Sequence, residues 1–386
     1  MAASAGGQAL LAVAYIVAAR GVSPASFGLV ASGIAIGLAL IGLIDFGANT
    51  LWVRSLANGS MSLAQAGQRA LWKCIAATAL ALLATMIVAF GPFPLELSAV
   101  GPVLLATTLA QLSQVPPRAI ARSDLTALSI GVSRALSFAI LIILISFGIG
   151  ATTALVISIC AGSILEGSIN IFLTPRGHWY RLMSVRPVNP WRGSTHFGVY
   201  AIATSAQSLD VPILGVTAGA ASSGIYAAVN RWTQPLGLAV GGFTSASAPF
   251  VASAVTFGEA WTKIRRASWL LALALFGCVT AAALAPIFVP TLLGDQYTGA
   301  VPVFQIMALG TIPALLNQPL AVFSQMRGSD KPVGVITAAG VFARLALTAA
   351  LGLTTGVLGA AIAYSVAQVA LLAALTAVFI KTLKAE

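Results

Sequence analysis

Residues 334–352, GVITAAGVFARLALTAALG, form an apolar run of helix length with a single charge, Arg344, at its middle. Such a run can cross the hydrocarbon core of a bilayer. A central Arg costs about 3 kcal/mol on insertion scales, so its side chain should face protein, water or a ligand. Thr337, Thr348 and Thr355 share its helical face. Backbone carbonyls of a packed helix could satisfy this guanidinium, but we favour an anion-binding site.

The composition is that of a polytopic membrane protein. Of 386 residues, 59% are hydrophobic and only 8% are charged, and the mean hydropathy is +0.97. A soluble domain of this size could not bury so much apolar surface. Cys74, Cys160, Cys278, His178 and His196 lie singly, without the spacing of metal ligands or a disulfide framework.

Apolar runs of spanning length alternate with charged or Gly/Pro-rich breaks and predict twelve transmembrane helices. The runs cover residues 3–19, 28–53, 70–90, 98–117, 125–148, 151–173, 196–216, 223–250, 268–293, 300–323, 332–353 and 356–380. We expect Pro212, Pro235, Pro302, Pro313 and Pro319 to kink or interrupt their helices. No Lys or Arg precedes Arg20, so a cleaved signal peptide is not expected, and the abrupt first span is compatible with an upstream extension.

Basic residues concentrate in alternate breaks between the predicted spans. Sixteen of the 20 Lys and Arg lie in these breaks, namely Arg54, Arg69, Lys73, Arg118, Arg122, Arg176, Arg181, Arg186, Arg192, Lys263, Arg265, Arg266, Arg327, Lys331, Lys381 and Lys384. The intervening breaks hold Arg20, Glu96 and Asp295. The positive-inside rule makes the basic side cytoplasmic, with both termini inside. The net charge of +11 therefore indicates topology and contact with anionic membrane lipid, and it does not predict nucleic-acid binding.

The longest hydrophilic break divides the chain into two similar halves. We predict a six-helix N-terminal lobe over 1–173, a cytoplasmic linker over 174–195 and a six-helix C-terminal lobe over 196–386. SFGL at 26–29 matches SSGI at 222–225 with an offset of 196, and GVSR at 131–134 matches GVFAR at 340–344. Since six spans return each half to the same face, the repeats should be parallel, with a central cavity on their shared axis.

Seven charged residues within the predicted spans or at their ends are candidate site residues. The candidate substrate-binding residues are Arg344, Arg134, Arg20 and Arg231, and the candidate coupling-ion residues are Asp210, Glu166 and Asp45. Matching depths predict that Arg134 pairs with Glu166 and Asp210 with Arg231, which leaves Arg344 without a carboxylate in the last three spans. Every intramembrane base in this interpretation is Arg, whose planar fork suits phosphate.

Polar residues recur at helical spacing along the sixth and seventh spans. Ser158, Glu166 and Asn170 share one face of the sixth span, and Thr204 and Asp210 share one face of the seventh. These stripes could line a wet cavity, join helices by hydrogen bonds, or do both.

No enzyme motif is present in a supporting context. Dinucleotide-binding, P-loop, zinc-protease and nucleophile-elbow patterns are absent as usable motifs, and nothing places a nucleophile beside a base. The sequence therefore predicts no catalytic residues, no metal and no cofactor.

The segment AARGVSPASFGLVASGIAIGLALIGLIDFGANTLWVRSLA, residues 18–57, resembles the opening of Wzx-type polysaccharide flippases, a family of the multidrug/oligosaccharidyl-lipid/polysaccharide exporter superfamily. In that family an Arg closes the first helix, Phe-Gly or Tyr-Gly opens the second, and Asp-Phe-Gly lies near its end. Here these are Arg20, Phe27-Gly28 and Asp45-Phe46-Gly47. Further matches are LDVPILG at 209–215, LLGDQYTGAVPVFQIMA at 292–308 and GVLGAAIAYSVAQ at 356–368.

The resemblance implies an all-α bundle of two lobes that alternates between inward-open and outward-open forms. Its cargo would be an oligosaccharide on polyprenyl diphosphate, such as an O-antigen precursor, moved across the bacterial inner membrane. The four arginines would receive the diphosphate and a carboxylate would bind the coupling ion, with glycan-assembly proteins as further partners. Alternatives in the superfamily are a drug or metabolite exporter, for which an acidic, aromatic cavity is expected, and a lipid II flippase, which more than twelve helices would favour.

Overall fold

The computed structural model describes residues 2–253, 257–265 and 268–384. Arg266 and the side chains of His196 and Lys263 lie outside this description. The described part is helical, with no strand in it. The first eight helices are α1 (Ala2–Arg20), α2 (Pro24–Asp45), α3 (Ala48–Ala57), α4 (Leu63–Phe90), α5 (Val100–Ser113), α6 (Val115–Ala119), α7 (Ser123–Ser146) and α8 (Ala151–Leu173). The other eight are α9 (Thr195–Ala206), α10 (Asp210–Ala218), α11 (Ala220–Ser253), α12 (Phe257–Ile264), α13 (Trp269–Leu293), α14 (Ala300–Met326), α15 (Asp330–Thr355) and α16 (Val357–Lys384).

The helices are those of a multi-pass membrane protein. Within the described residues, 10 helical segments are long and apolar enough to cross a membrane, and Gly6–Arg20 is a shorter apolar helix. Each of the twelve predicted spans coincides with one or two helices, apart from short breaks and a few end residues. The all-α membrane class is confirmed, whereas the count of twelve in two lobes stays a prediction.

Three predicted spans are broken rather than continuous. The second divides between α2 and α3 at Phe46 and Gly47, whose φ angles of 42° and 71° lie in the left-handed region. The fourth divides between α5 and α6 at Gln114, two residues before Pro116 and Pro117. The seventh divides between α9 and α10 at a 3₁₀ turn, Gln207–Leu209. Pro212 accounts for this last break, since it lacks an N–H and its ring clashes with the carbonyl of residue 208. Pro313 and Pro319, in contrast, lie inside α14 and do not interrupt it.

The ends of α2 and α11 cross at a contact with no room for side chains. A Cβ on Gly28 would lie 2.0 Å from the Ala220 carbonyl oxygen, and a Cβ on Gly224 would lie 1.8 Å from the Pro24 carbonyl oxygen. Each carbonyl precedes its own helix's glycine by four residues, so the contact is reciprocal, as a two-fold axis would produce. The SFGL and SSGI repeats thus meet each other, and they close the bundle at the end that carries Arg20.

The main hydrophobic core draws residues from both halves of the chain. Tyr15, Phe27 and Leu155 join Tyr226 and Leu293 in one buried cluster. Helix α2 packs against α5 of its own half and also against α9, α10 and α11. This shared core fixes the two halves against each other around the cavity described below.

The predicted linker is held against the basic end of the N-terminal half. The Trp191 indole N–H donates to the Ile44 carbonyl at 2.8 Å, and the Trp72 indole N–H donates to the Arg186 carbonyl at 2.9 Å. Burial raises the pKa of the Tyr180 hydroxyl, which donates to the Leu112 carbonyl at 3.0 Å. The segment is therefore a fixed strap rather than a free tether.

Candidate functional site

A central cavity of about 880 Å³ lies between the halves of the chain. Its walls come from α1, α2, α5, α9 to α11 and α14 to α16. Among the described lining residues only Asp210, Arg231 and Arg344 are charged. The volume is in the upper range of pockets that enclose drug-sized ligands.

Arg344 is bound at the level of the break between α9 and α10. Its side chain is 9% exposed, and its Nη2 donates to the Gln207 carbonyl at 2.7 Å. The 3₁₀ turn makes this carbonyl available, because a regular helix would occupy it. The guanidinium carbon also lies 5.8 Å from the centre of the Tyr364 ring, within the range of a cation–π contact. The Nε–H has no hydrogen-bond partner among the described residues.

Asp210 is the carboxylate that pairs with Arg344, at 3.4 Å from Oδ2 to Nη2. The same Oδ2 accepts from the Tyr226 hydroxyl at 3.0 Å, and Oδ1 accepts from the Val211 N–H at 2.8 Å. The sequence interpretation paired Asp210 with Arg231 and left Arg344 unpaired. The structure differs because the helix break starts α10 at Asp210 and presents this carboxylate to α15.

Arg231 extends toward the other half of the chain. Its guanidinium carbon lies 4.8 Å from the centre of the Tyr15 ring, and its Nη2 donates to the Tyr15 hydroxyl at 3.3 Å. Arg231 also lies within electrostatic range of Asp210. One end of the cavity therefore holds two guanidinium groups, one carboxylate and three buried tyrosines.

Carboxamides supply much of the remaining polar surface of the central cavity. They are Gln111, Gln207, Asn230, Asn317, Gln318, Gln325 and Gln368. Tyr200, Thr204 and Thr337 add hydroxyl groups. Away from the arginines, the described wall combines these polar groups with apolar side chains such as Leu38, Val322 and Leu371, and it carries no charge.

A second cavity of about 550 Å³ lies within the N-terminal half and contains Arg134. Gln111 lines both cavities. Arg134 lies within electrostatic range of Glu166 and of Arg231, while its Nε–H has no hydrogen-bond partner in the described part of the chain. The Glu166 carboxylate accepts a 2.5 Å hydrogen bond from Gln114. Arg134 and Glu166 are therefore close enough to interact electrostatically, but the direct hydrogen bond to Glu166 comes from Gln114.

Arg118 joins this second cavity, although its position in a basic break predicted only a topology signal. Its guanidinium donates to the Gln114 side-chain oxygen, so a chain of bonds runs from Arg118 through Gln114 to Glu166. The PP dipeptide at 116–117 follows the early end of α5, and Arg118, although exposed, lines the second cavity directly after it.

Lys73 is a buried base that the sequence interpretation missed. It is 0% exposed, and its Nζ contacts the Asp45 carboxylate at 2.5 Å and the Asn49 side-chain oxygen at 2.9 Å. The statement that every intramembrane base is Arg was therefore wrong. A capping box of Ser62 and Gln65 starts α4 at Leu63, seven residues before the predicted span, and this places Lys73 well inside the helix.

The structure thus divides the four candidate arginines. Arg344 and Arg231 share the central cavity, Arg134 lines the second cavity, and Arg20 is exposed at the end of α1. Asp210 belongs to the central cavity, while Asp45 and Glu166 line the second. Residues 2–253, 257–265 and 268–384 contain no group of three or more His, Cys, Asp or Glu side chains that could hold a metal ion.

Comparison with known proteins gives a clear likeness in structure and none in sequence. The sequence matches no protein-family model and no curated protein. The structure resembles the lipid II flippase MurJ in an inward closed conformation, with a TM-score of 0.71 and 15% identity over 99% of this chain and 89% of that one. It also resembles a multidrug resistance MATE family transporter of the MOP superfamily in an inward-facing conformation, with a TM-score of 0.66 and 14% identity over 97% and 93%.

A third similar structure is a MOP superfamily transporter from Pyrococcus furiosus, described as having a binding pocket of reverse polarity. Its TM-score is 0.52, with 14% identity over 99% of this chain and 93% of that one. At these identities the likeness establishes the fold, which is that of MOP-superfamily transporters. These three neighbours are transporters or flippases rather than enzymes.

Proposed function

We propose that this protein is a membrane transporter that flips polyprenyl-diphosphate-linked oligosaccharide across the bacterial inner membrane by alternating access. In this proposal the lobes are residues 1–173 and 196–386, both termini are cytoplasmic, and anionic lipid and glycan-assembly proteins are the remaining partners. The observation that carries the proposal is the pair of guanidinium groups, Arg344 and Arg231, in a large cavity between the halves.

The charge balance of the central cavity favours an anion. Two arginines face one carboxylate, Asp210, so the described charged lining carries one net positive charge. Charge-assisted bonds from guanidinium to phosphate are among the strongest hydrogen bonds in proteins. They gain further strength in a cavity surrounded by hydrocarbon and protein. The buried Nε–H of Arg344 has no hydrogen-bond partner among the described residues, so it is a donor for a phosphate oxygen once the side chain turns toward the cavity.

Diphosphate binding provides a route to ion coupling through Asp210. A phosphate that takes the Arg344 guanidinium leaves the 1% exposed Asp210 without its cation. A buried, unpaired carboxylate is costly, so it would take up a proton or a metal cation. Release of that ion on the opposite side would return Asp210 to Arg344 and expel the anion. Glu166 and Asp45 are secondary coupling candidates because each has its partner in the second cavity.

The conformation suits loading from the basic side. The contact of Gly28 with Gly224 closes the bundle at the Arg20 end. The lining of the central cavity extends the other way, to Gln325 and Val333, beside Arg327 and Lys331. With the basic face cytoplasmic, this arrangement is an inward-facing state from which the lobes rock outward.

The test is lipid flipping by purified protein in liposomes that contain a fluorescent polyprenyl-diphosphate tetrasaccharide, read by dithionite quenching. We expect Arg344→Gln to slow flipping at least tenfold. Arg20→Gln is the matched control, because it removes the same charge outside both cavities and should retain the wild-type rate. Wild-type flipping by Arg344→Gln, with normal insertion, would refute the proposal. If the single variant inserts poorly because Asp210 is left unpaired, the Arg344→Gln/Asp210→Asn pair replaces it.

A second candidate is lipid II flipping, which the structural similarity to MurJ favours. The same liposomes with fluorescent lipid II distinguish the two. Preferential transport of lipid II over the tetrasaccharide lipid would select this candidate.

A third candidate is the export of cationic drugs, which the structural similarity to a MATE family transporter favours. Asp210 is the single described carboxylate of the central cavity, and it is already paired with Arg344. Drug-stimulated quenching of a proton gradient in the same liposomes, without flipping of either lipid, would select this candidate.

A further inference from the structure

The face of α14 that lines the central cavity carries carboxamides in place of charges. We propose that this face is a subsite for uncharged, hydroxyl-rich sugar units, separate from the arginines and decisive for which glycans are accepted. The proposal deepens the function proposed above and rests on it for the identity of the lipid-linked cargo.

The spacing along α14 produces one continuous stripe. Thr311, Ala314, Gln318, Ala321 and Gln325 follow at intervals of three and four residues, and all line the central cavity. At a rise of 1.5 Å per residue the stripe is about 21 Å long. The Thr311 hydroxyl lies 3.4 Å from that of Tyr364, so Thr311 marks the level of Arg344.

Gln318 is about 10 Å along the helix from Thr311, toward the basic end. Its amide lies against two glycines of α11: a Cβ on Gly237 would be 3.3 Å from the amide nitrogen, and a Cβ on Gly241 would be 3.4 Å from the amide oxygen. Larger residues at these glycines would fill the space beside Gln318. The two glycines thus give this amide room against α11, in a part of the cavity wall that all three residues line.

A neighbouring amide is held in place and has an unused acceptor. The Asn317 amide nitrogen donates to the Gln368 side-chain oxygen at 2.9 Å and to its carbonyl at 3.1 Å. The Asn317 side-chain oxygen is buried and has no hydrogen-bond partner among the described residues. Pro319 adds another acceptor, because it has no N–H to donate to the Leu315 carbonyl.

The chemistry of this wall matches sugar hydroxyl groups. A carboxamide offers two donors and an acceptor, and a hydroxyl group offers one donor and accepts as well, so the two satisfy each other. No described residue of the wall between Ala314 and Gln325 is charged. An acidic sugar would therefore find no cation at this level, and buried charge without a partner is costly. The subsite should prefer neutral glycans.

Interhelical bonding is the competing role for these amides. The bonds of Asn317 to Gln368 join α14 to α16 and serve that role. Gln318 is therefore the residue to test. Gln305 is the matched control: it is a glutamine on the same helix, it bonds to the Ala282 carbonyl at 3.2 Å, and it does not line the central cavity.

The experiment measures binding of three probes to detergent-purified full-length protein: farnesyl diphosphate, farnesyl diphosphate carrying a neutral tetrasaccharide, and the free tetrasaccharide. For Gln318→Leu we expect about five- to tenfold weaker binding of the glycosylated probe, the effect of one or two lost hydrogen bonds. Binding of farnesyl diphosphate should not change. Gln305→Leu should match the wild type on all three probes, and Arg344→Gln should weaken both diphosphates equally.

Two results would overturn the subsite. One is equal affinity of Gln318→Leu and wild type for the glycosylated probe. The other is an equal loss for farnesyl diphosphate, which would show a general structural effect. A failure of the proposed function is distinct: the wild type would bind neither diphosphate. In that case, free tetrasaccharide binding that Gln318→Leu weakens would still support the subsite, and its absence would count against both.

Discussion

A single methyl group at Gly28 should shift the conformational balance of this protein. In Gly28→Ala the new Cβ would lie 2.0 Å from the Ala220 carbonyl oxygen and 2.6 Å from the Gly224 nitrogen. Both atoms belong to the α11 backbone, so no side chain can move aside and the helices must separate. Overpacking of this kind costs about 1–3 kcal/mol, and a cost of about 2 kcal/mol corresponds to a shift of about 30-fold away from the closed contact.

The shift is measurable with a reporter cysteine in the cavity wall. Ala227→Cys is introduced on α11 after the three native cysteines are replaced by alanine, and an impermeant thiol reagent is applied from each side of sealed vesicles. The ratio of labelling rates should move about 30-fold toward the Arg20 side. Gly150→Ala is the matched control, because a Cβ at Gly150 has no atom within 4 Å. An unchanged ratio in Gly28→Ala, or an equal shift in Gly150→Ala, would refute the reasoning.

The buried charges and the strap give three further predictions. Lys73→Met should destabilise the protein by about 3–5 kcal/mol because Asp45 loses its buried partner, and Lys73→Met/Asp45→Asn should recover most of the loss; equal melting temperatures of the two variants in detergent would contradict this. Asp210→Asn keeps the size of the side chain and removes the competitor for Arg344, so farnesyl diphosphate should bind more tightly, and weaker binding would count against the partner exchange. Trp191→Phe removes the hydrogen bond to Ile44, which is worth about 1 kcal/mol, and faster trypsin cleavage after Arg181 or Arg192 should report loosening of the strap.

Hydropathy and charge position were sufficient to predict the membrane class and the positions of the helices. Spans of about 20 apolar residues have few alternatives in a bilayer, because every backbone polar group must be satisfied internally. The repeat was informative as well. SFGL and SSGI match, and their glycines, Gly28 and Gly224, meet in one reciprocal contact.

The breaks within the predicted spans determine the contacts of Arg344 and Asp210, and the hydropathy pattern gives no sign of these breaks. Hydropathy does not reveal the 3₁₀ turn Gln207–Leu209. This turn leaves the Gln207 carbonyl free to accept from Arg344 and directs the Asp210 carboxylate toward Arg344. A prediction from depth in the membrane alone therefore paired Asp210 with Arg231, whereas its ion pair is with Arg344. Pro212 was the available signal, since its ring clashes with the carbonyl of residue 208, but proline alone does not decide a break, because Pro313 and Pro319 lie inside the continuous α14.

Lys73 was predicted to be a topology signal at the edge of a span, but it is a buried ion-pair partner within α4. A base at the edge of an apolar run is usually a topology signal, and only the capping box at Ser62 and Gln65 indicates that α4 starts earlier. The sequence shows Asp45 and Asn49 as a pair of polar residues within a span. Because two acceptors in an apolar span are costly without a donor, this pair predicts a buried donor nearby. The structure supplies this donor from α4.

The position of a bound phosphate tests the central claim most directly. A cryo-electron microscopy map of the protein with farnesyl diphosphate should show the phosphates within hydrogen-bond distance of Arg344 and Arg231, with Asp210 released from Arg344. Density for the diphosphate only in the second cavity, beside Arg118 and Arg134, or an intact Arg344–Asp210 pair beneath an empty central cavity, would contradict the account.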